Sequence, residues 1–194
     1  MIDPENVTNY NMTSNQLEEF ILFWICAAGK NGKTAARCLD NLLSDLKMYF
    51  SFKFSPFELI RKTHIYSNNL PDWLKVNGIG CYNSKARTML EISNSKLDLK
   101  TCSVDDLEKI YGIGMKTSRC FIIHSRRNSN YAGLDTHVLK HLREVGIENV
   151  PKSTPSSKKQ YKRLEKEFLK LAKGAGTFPA DYDLMVWNKY SVNT

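Results

Sequence analysis

Cysteine is sparse in this sequence of 194 residues and follows none of the patterns that bind metals or frame small secreted domains. The five cysteines are an odd number, form no Cys-x-x-Cys pair, and none lies beyond Cys120. The four histidines include no His-Glu-x-x-His motif. These absences argue against the common zinc and disulfide frameworks. We therefore expect reduced thiols, an intracellular protein and no catalytic metal.

Long hydrophobic runs are also missing. The longest apolar run, residues 20–28, is far shorter than the roughly 20 residues that a membrane helix needs. Residues 1–15 are polar and lack the character of a signal peptide. No repeat of solenoid length and no clear strand alternation is visible. We expect a protein without a membrane partner.

Positive charge is in excess. Lysine and arginine number 28 against 20 acidic residues, which gives a net charge of +8. Such a balance favours a polyanionic partner, with nucleic acid the first candidate, although a basic surface also serves solubility alone. The hydrophobic fraction of 42% is enough to build a core.

Helical periodicity and helix-start chemistry recur along the chain. Thr13 with Gln16 forms a capping-box pattern, and Ser103 with Asp106 predicts a short helix that runs to Ile110. Tyr161 begins an apolar face of helical spacing that ends near residue 174. These patterns predict an all-α fold of nine or ten helices with short loops.

The most informative segment is residues 106–137, with Gly112, Ile113 and Gly114 at its centre. A short helix meets a Gly-x-Gly turn, and a second helix follows. Glycines permit positive φ and let backbone amides approach a phosphate beside the positive end of a helix. Taken alone, the glycines fit an ordinary tight turn between packed helices better than a phosphate-binding turn.

Lys116 directly follows this turn, and Asp135 lies downstream in the sequence LDTHV. This combination resembles the helix-hairpin-helix superfamily of base-excision DNA glycosylases. The resemblance implies that Lys116 attacks C1′ of an extruded nucleotide and forms a Schiff base, assisted by Asp135. It also implies contacts of Gly112, Ile113, Gly114 and His137 with DNA. Asp135 fits a plain helix N-cap as well.

A lysine needs help to act as a nucleophile, because at neutral pH almost all of its molecules are protonated. Lys116 is expected in the first turn of a helix, where the dipole disfavours an ammonium. A partly dry cleft acts in the same direction. We therefore expect the pKa of Lys116 to lie below its ordinary value.

Residues 78–86, GIGCYNSKA, resemble the loop and helix that precede the hairpin in endonuclease III-like members of the superfamily. In that branch the loop wedges into the minor groove. The resemblance makes Cys81 and Tyr82 wedge candidates, since an apolar or aromatic side chain fills the gap left by an extruded base. Burial in the core is an equally good explanation for either residue.

Residues 27–34, AAGKNGKT, satisfy a permissive Walker A pattern, which would make Lys33 and Thr34 part of a nucleotidase P-loop. A P-loop fold alternates β-strands with α-helices, and the sequence shows no such alternation. The glycosylase interpretation instead places this loop after an N-terminal helix, where Lys30, Asn31 and Lys33 contact DNA.

The region after Asp135 resembles the compact 8-oxoguanine glycosylases found mainly in archaea and some bacteria. The shared segments include HVLKHLREVG, KKQYKRLEKEF and DYDLMVWNKY. This resemblance implies a base pocket formed by Cys120, Asp183 and Trp187. The C-terminal four-cysteine loop of many endonuclease III-like enzymes is missing, so no iron-sulfur cluster is expected.

The sequence thus predicts an all-α protein of two helical subdomains that flank a DNA-binding cleft, with Lys116 and Asp135 facing each other across it. Residues 1–29 and 135–194 would form one subdomain, and residues 30–134 the other, with the hairpin at about residues 103–124. The expected activity is that of a monomeric, cofactor-free glycosylase and lyase that excises 8-oxoguanine from double-stranded genomic DNA. An endonuclease III-like enzyme for pyrimidines, a P-loop nucleotidase and a non-catalytic hairpin module remain alternatives.

Overall fold

The computed structural model describes residues 1–67 and 69–191 of the chain. Throughout these residues the regular secondary structure is helical, without a β-strand, which confirms the predicted all-α class. The chain forms two compact units. Unit 1 comprises Met1–Val7 and Asn11–Gly114, and unit 2 comprises Thr8–Tyr10 and Met115–Thr194.

The boundaries of these units differ from the division expected from the sequence. The first long helix packs within unit 1 rather than with the C-terminal residues. Lys116 and Asp135 both lie in unit 2, rather than in two different subdomains. The physical reason is that the first helix is buried on nearly all sides by its neighbours in unit 1, which sequence periodicity alone did not reveal.

In the residues that the structure describes, unit 1 begins with a short 3-10 helix, Pro4–Asn6, which six α-helices follow. They are α1 (Ser14–Ala27), α2 (Gly32–Tyr49), α3 (Pro56–Ser67), α4 (Leu70–Val76), α5 (Tyr82–Asn94) and α6 (Val104–Leu107). Helix α1 packs against α2, α3 and α5, and its residues 20–26 are all buried. This apolar helix is the centre of the unit.

Local capping chemistry starts several of these helices where the sequence predicts. Thr13 and Gln16 form a reciprocal capping box at α1. Ser55 and Glu58 exchange the equivalent pair of hydrogen bonds at α3, at 2.8 and 3.2 Å. These contacts satisfy amide groups that a helix N-terminus leaves without internal partners.

Helix α6 is shorter than predicted. The capping box of Ser103 and Asp106 is present, but the helix ends at Leu107 rather than at Ile110. The backbone continues in tighter turns, with the Ile110 amide donating to the Leu107 carbonyl at 3.1 Å. The chain must tighten here because the glycine turn follows directly.

Up to residue 191, where the described part of the chain ends, unit 2 has four α-helices: α7 (Met115–Ser125), α8 (Thr136–Glu144), α9 (Lys158–Gly174) and α10 (Pro179–Ser191). The apolar faces of α8, α9 and α10 meet in one buried cluster that includes Leu139, Tyr161, Leu164 and Phe168, and Met115 at the start of α7 packs against it. The face of α9 predicted from Tyr161 onward is thus the face that packs inward. None of the helices in the described part of the chain is long and apolar enough to cross a membrane.

Candidate active site

The glycine turn leads along the chain from α6 to α7. Gly112 has a φ of +77°, a left-handed conformation that residues with a side chain rarely adopt. A Cβ atom at this position would also lie 2.2 Å from the hydroxyl oxygen of Thr88. Ile113 is 3% exposed and packs into the core, whereas Gly112 and Gly114 are exposed. Because its side chain is buried, Ile113 can contact DNA only through its backbone.

Lys116 is the second residue of α7, in the first helical turn as predicted, and its side chain is partly buried. Burial is the largest influence on its pKa and lowers it. Cys120, Asp135 and Asp183 together act in the opposite direction, and the net pKa of the Lys116 ammonium is raised above 10.5. The expectation of a lowered pKa is therefore wrong, because nearby acidic groups outweigh burial.

Asp135 is the N-cap of α8, and its Oδ1 accepts a hydrogen bond of 2.8 Å from the Val138 amide. The capping interpretation is thus correct, and it coexists with the electrostatic link to Lys116. Burial, followed by the negative charge of Asp183, raises the pKa of the Asp135 carboxyl, while Lys116 lowers it. The net direction is upward. Asp135 consequently accepts a proton more readily than an exposed aspartate.

Cys120 lies one helical turn after Lys116 and is 2% exposed. Burial raises the pKa of its thiol to about 12, so the group is neutral at physiological pH. Gly133 packs directly on it, since a Cβ atom at Gly133 would lie 2.2 Å from the Cys120 sulfur. The thiol therefore sits in a tight site beside the Lys116 helix turn.

Asp183, on α10, belongs to the same electrostatic cluster, because it raises the pKa of both Lys116 and Asp135. Its Oδ2 lies 3.2 Å from Nε2 of His124, which is fully buried. The other ring nitrogen of His124 lies 2.8 Å from the Thr8 hydroxyl. Asp183 is thus held in place from the interior of unit 2.

Trp187 lies one turn beyond Asp183 and is only partly buried, so it is not a core residue. Its ring meets the His137 ring edge-on, with centroids 6.5 Å apart. His137 also stacks on Tyr190 at 6.3 Å. An aromatic surface therefore adjoins the helix that Asp135 caps, which suits stacking on a flat base.

The loop before α2 holds Lys30, Asn31 and Lys33. Asn31 caps the helix, with its Oδ1 accepting from the Lys33 amide at 2.9 Å. The Lys33 ammonium lies 2.6 Å from Glu5, and the Lys30 ammonium donates to the Gly78 carbonyl. These side chains support the loop locally, and their contact with DNA remains a prediction.

The same loop excludes the P-loop alternative. A Walker A segment follows a β-strand, but residues 14–27 form α1, a helix, and unit 1 has no strand in the part that the structure describes. The Gly29 turn instead separates two helices, with φ of +71°. Residues 27–34 match the Walker A pattern by coincidence, because they include the N-cap and the first turn of α2.

Cys81 and Tyr82 begin α5. Cys81 is exposed and adopts a left-handed φ of +52°, which is unusual for a residue with a side chain. Tyr82 is partly buried, and the Lys75 ammonium lies 5.7 Å from its ring centroid. Neither belongs to the buried core, which keeps both as wedge candidates.

His137 and His141 stand four positions apart on α8, a spacing that also occurs in metal sites. His141 Nε2 instead lies 2.9 Å from the Tyr182 hydroxyl. Across residues 1–67 and 69–191, no group of three or more His, Cys, Asp or Glu side chains is placed to hold a metal ion.

A comparison with known families decides the assignment of the chain. Residues 5–177 match the family described as 8-oxoguanine DNA glycosylase. The chain belongs to the 8-oxoguanine DNA glycosylase family. The matched residues of this glycosylase include the hairpin, Lys116, Cys120 and Asp135, whereas Asp183 and Trp187 lie beyond them.

Two solved structures resemble this glycosylase. The 8-oxoguanine DNA glycosylase of Thermotoga maritima is 22% identical to this chain. The alignment covers 92% of this chain and 81% of the Thermotoga chain, with a TM-score of 0.70. The 8-oxoguanine glycosylase/lyase of Methanocaldococcus jannaschii, in complex with a 15mer DNA containing 8-oxoguanine, is 18% identical, with coverages of 94% and 84% and a TM-score of 0.67. At these identities the likeness establishes a shared fold. No curated protein sequence gives a significant match.

Sequence reasoning missed the side chains of this glycosylase that support the cluster from within. His124, Arg119, Tyr161 and Glu165 are buried polar residues of unit 2 that contact each other or the candidate site residues. Tyr161 was assigned only to an apolar helix face. A charged residue on the inward side of a helix, such as Arg119, was the available clue, because lysine and arginine are rarely buried without a partner.

Proposed function

We propose that this member of the family is a bifunctional DNA glycosylase and lyase that excises 8-oxoguanine through a Schiff base with Lys116. The observation that carries the proposal is the electrostatic cluster of Lys116, Asp135 and Asp183 around the start of α7. It combines a nucleophile in the first turn of a helix with a carboxylate that accepts its proton. The family assignment supplies the substrate.

The raised pKa of Lys116 means that the resting amine is protonated and must lose a proton before it attacks. Asp135 is the proposed acceptor, because its own pKa is raised and its oxygen Oδ1 is fixed by the Val138 amide. Internal transfer from Lys116 to Asp135 gives a neutral amine without a change in the net charge of the pair. Burial opposes the charge on both groups, and it therefore reduces the free-energy cost of this transfer.

The neutral Nζ of Lys116 then attacks C1′ of the extruded nucleotide. The C1′–N9 bond breaks, and its electron pair leaves with the base, which takes up a proton. Opening of the C1′–O4′ bond gives a protonated imine, with a proton taken up by O4′. Loss of a proton from C2′ expels the 3′ phosphate and cleaves the strand. The proton that Asp135 has taken from Lys116 is then available to the leaving base or to O4′.

The proposed base pocket combines Cys120, Asp183 and Trp187. Trp187 supplies a stacking face, and the Asp183 carboxylate accepts hydrogen bonds from N–H groups of the purine. The Cys120 thiol is neutral, so it senses the altered charge distribution of the oxidised base as a weak dipole rather than as a thiolate. In support of these roles, Cys120 and Asp183 interact electrostatically with Lys116, and Trp187 lies one helical turn beyond Asp183.

The proposed partner is double-stranded DNA, bound by a monomer. A net charge of +8 suits the phosphate backbone. Contacts are assigned to Gly112, Ile113, Gly114 and His137, to Lys30, Asn31 and Lys33, and to the wedge residues Cys81 and Tyr82. The proposed chemistry uses no cofactor or iron-sulfur cluster, and the site of action is genomic DNA within the cell.

Borohydride trapping on a duplex with a single 8-oxoguanine tests this function. The wild-type protein should form a covalent adduct, because the reductant fixes the imine on Lys116. Lys116→Gln should form none, while it retains binding to an abasic-site analogue, since glutamine keeps most of the side-chain bulk. Lys140→Gln, a change at an exposed lysine of α8, serves as the matched control and should trap normally.

Adduct formation by Lys116→Gln would assign the chemistry to another residue. A wild-type protein that binds the duplex but neither traps nor releases the base would identify a non-catalytic hairpin module. Preference for a duplex with an oxidised pyrimidine would overturn the substrate while leaving the lysine mechanism in place.

A further inference from the structure

The hydroxyl of Tyr161 lies between the backbone segments that carry the two proposed catalytic residues. Its oxygen accepts a hydrogen bond from the Leu134 amide at 3.0 Å and lies 2.8 Å from the Ala132 carbonyl oxygen. The Met115 carbonyl oxygen lies 3.4 Å away. Met115 directly precedes Lys116, and Leu134 directly precedes Asp135. One buried side chain therefore touches the backbone next to both residues.

Burial raises the pKa of the Tyr161 phenol, so the group keeps its hydrogen at any physiological pH. A hydroxyl has one hydrogen to donate and can share it between the carbonyls of Ala132 and Met115. It accepts at the same time from Leu134. The hydroxyl can therefore join two backbone segments by hydrogen bonds in the interior, where buried backbone amides and carbonyls require partners.

Glu165, one helical turn further along α9, provides a second hydrogen-bonded link, or tie, between the same two segments. Its Oε1 accepts from the Ala132 amide at 3.1 Å and from Nε of Arg119 at 2.8 Å. Arg119 in turn donates from a terminal guanidinium nitrogen to the Met115 carbonyl at 3.1 Å. The Arg119 guanidinium also lies 4.7 Å from the Tyr161 ring centroid. The two ties share their end points, residues 115 and 132.

We infer that Tyr161 and Glu165 are positioning residues that fix the separation of Lys116 and Asp135, an inference that rests on the function proposed above. Both lie on α9. Tyr161 contacts the residues that directly precede Lys116 and Asp135, and Glu165 reaches the same two segments through the Ala132 amide and through Arg119. Proton transfer and attack on C1′ both depend on geometry at the scale of a hydrogen bond. Because neither residue contacts DNA in this role, its loss affects the rate rather than the affinity.

Tyr161→Phe tests the inference, since it removes the hydroxyl and keeps the ring. Single-turnover trapping on the 8-oxoguanine duplex should slow by about ten- to a hundredfold, the effect of a misplacement near 1 Å. The dissociation constant for an abasic-site analogue should stay within about twofold of wild type, because the DNA contacts are unchanged. A structural role alone does not divide rate from affinity in this way.

Tyr182→Phe is the matched control. Tyr182 is also buried in unit 2, but its hydroxyl bonds the His141 ring rather than the backbone beside Lys116 or Asp135. Both variants should remain folded, and only Tyr161→Phe should trap slowly. Equal slowing of both variants, or a normal rate for Tyr161→Phe, would overturn the inference.

Glu165→Gln keeps an oxygen acceptor, and its trapping rate provides a second test if Tyr161→Phe folds poorly. Its expected rate lies between those of wild type and Tyr161→Phe, whereas a normal rate would remove Glu165 from the positioning set. The proposed function fails separately, because it requires trapping by wild type and its loss in Lys116→Gln. Trapping by wild type with no effect of Tyr161→Phe would refute the positioning role only.

Discussion

Asp135→Asn separates the capping role of this residue from its role as a proton acceptor. The asparagine Oδ1 can still accept from the Val138 amide, and asparagine caps helices about as well as aspartate. The substitution removes only the negative charge and the basicity. The fold of α8 should therefore persist, with an unfolding temperature within about 4 °C of wild type.

The size of the effect follows from the raised pKa of Lys116. An ordinary lysine, with a pKa of about 10.4, is neutral at pH 7 in only about one molecule in 2,500, and the raised pKa of Lys116 makes its neutral form rarer still. Asp135 overcomes this in the wild type by taking the proton internally. Removing a general base of this kind costs about a hundred- to ten-thousandfold. Single-turnover excision at pH 7 should thus fall by at least about a hundredfold in Asp135→Asn.

The pH dependence gives a sharper distinction than the rate at one pH. Transfer from Lys116 to Asp135 leaves the number of protons on the pair unchanged, so the wild-type rate should be level from about pH 7 to 9. At lower pH the rate should fall as Asp135 becomes protonated. This fall should begin at a higher pH than for an ordinary aspartate, because the pKa of Asp135 is raised from 3.8. In Asp135→Asn the proton goes to solvent, and the rate should rise about tenfold per pH unit.

The assay is rapid-quench measurement of base release from an 8-oxoguanine duplex at several pH values. Asp181→Asn, a change at an exposed carboxylate of α10, controls for the loss of one charge and should resemble wild type. A level profile for Asp135→Asn at near-normal rate would refute the reasoning and leave Asp135 as a cap only.

Two further predictions concern the base pocket and the packing beneath it. Trp187→Ala should slow excision of 8-oxoguanine about ten- to a hundredfold but leave cleavage at a preformed abasic site nearly unchanged, since that substrate has no base to stack; equal losses in the two gel assays would speak against stacking. Gly133→Ala should destabilise the fold by about 1 to 3 kcal/mol in urea unfolding, because the new methyl group meets the Cys120 sulfur at 2.2 Å. Adding Cys120→Ala should restore most of that loss, and failure to do so would place the strain elsewhere.

Sequence patterns predicted much of the local structure at helix starts and turns. The capping boxes at Thr13 and Ser103, the glycine at position 112, and Asp135 as an N-cap all depend on residues a few positions apart. Such features follow from backbone geometry and short-range hydrogen bonds. They do not require knowledge of which helices pack together.

The permissive Walker A match shows the limit of local patterns. Residues 27–34 carry the right letters, but the preceding segment is helical, so no strand presents the loop to a phosphate. A short apolar run suits a buried helix as well as a buried strand. Only the packing of α1 within unit 1 distinguishes the two.

The sequence by itself determined the helical class, the glycine turn, and the placement of Lys116 and Asp135 at two helix starts, because these depend on contacts within one or two turns of chain. The tertiary structure alone decided the direction of the Lys116 pKa, the grouping of α1 with unit 1, and the ties from Tyr161 and Glu165. Each of these depends on charges and hydrogen bonds between residues distant in sequence. Such contacts have no local pattern, since their partners meet only when the helices pack.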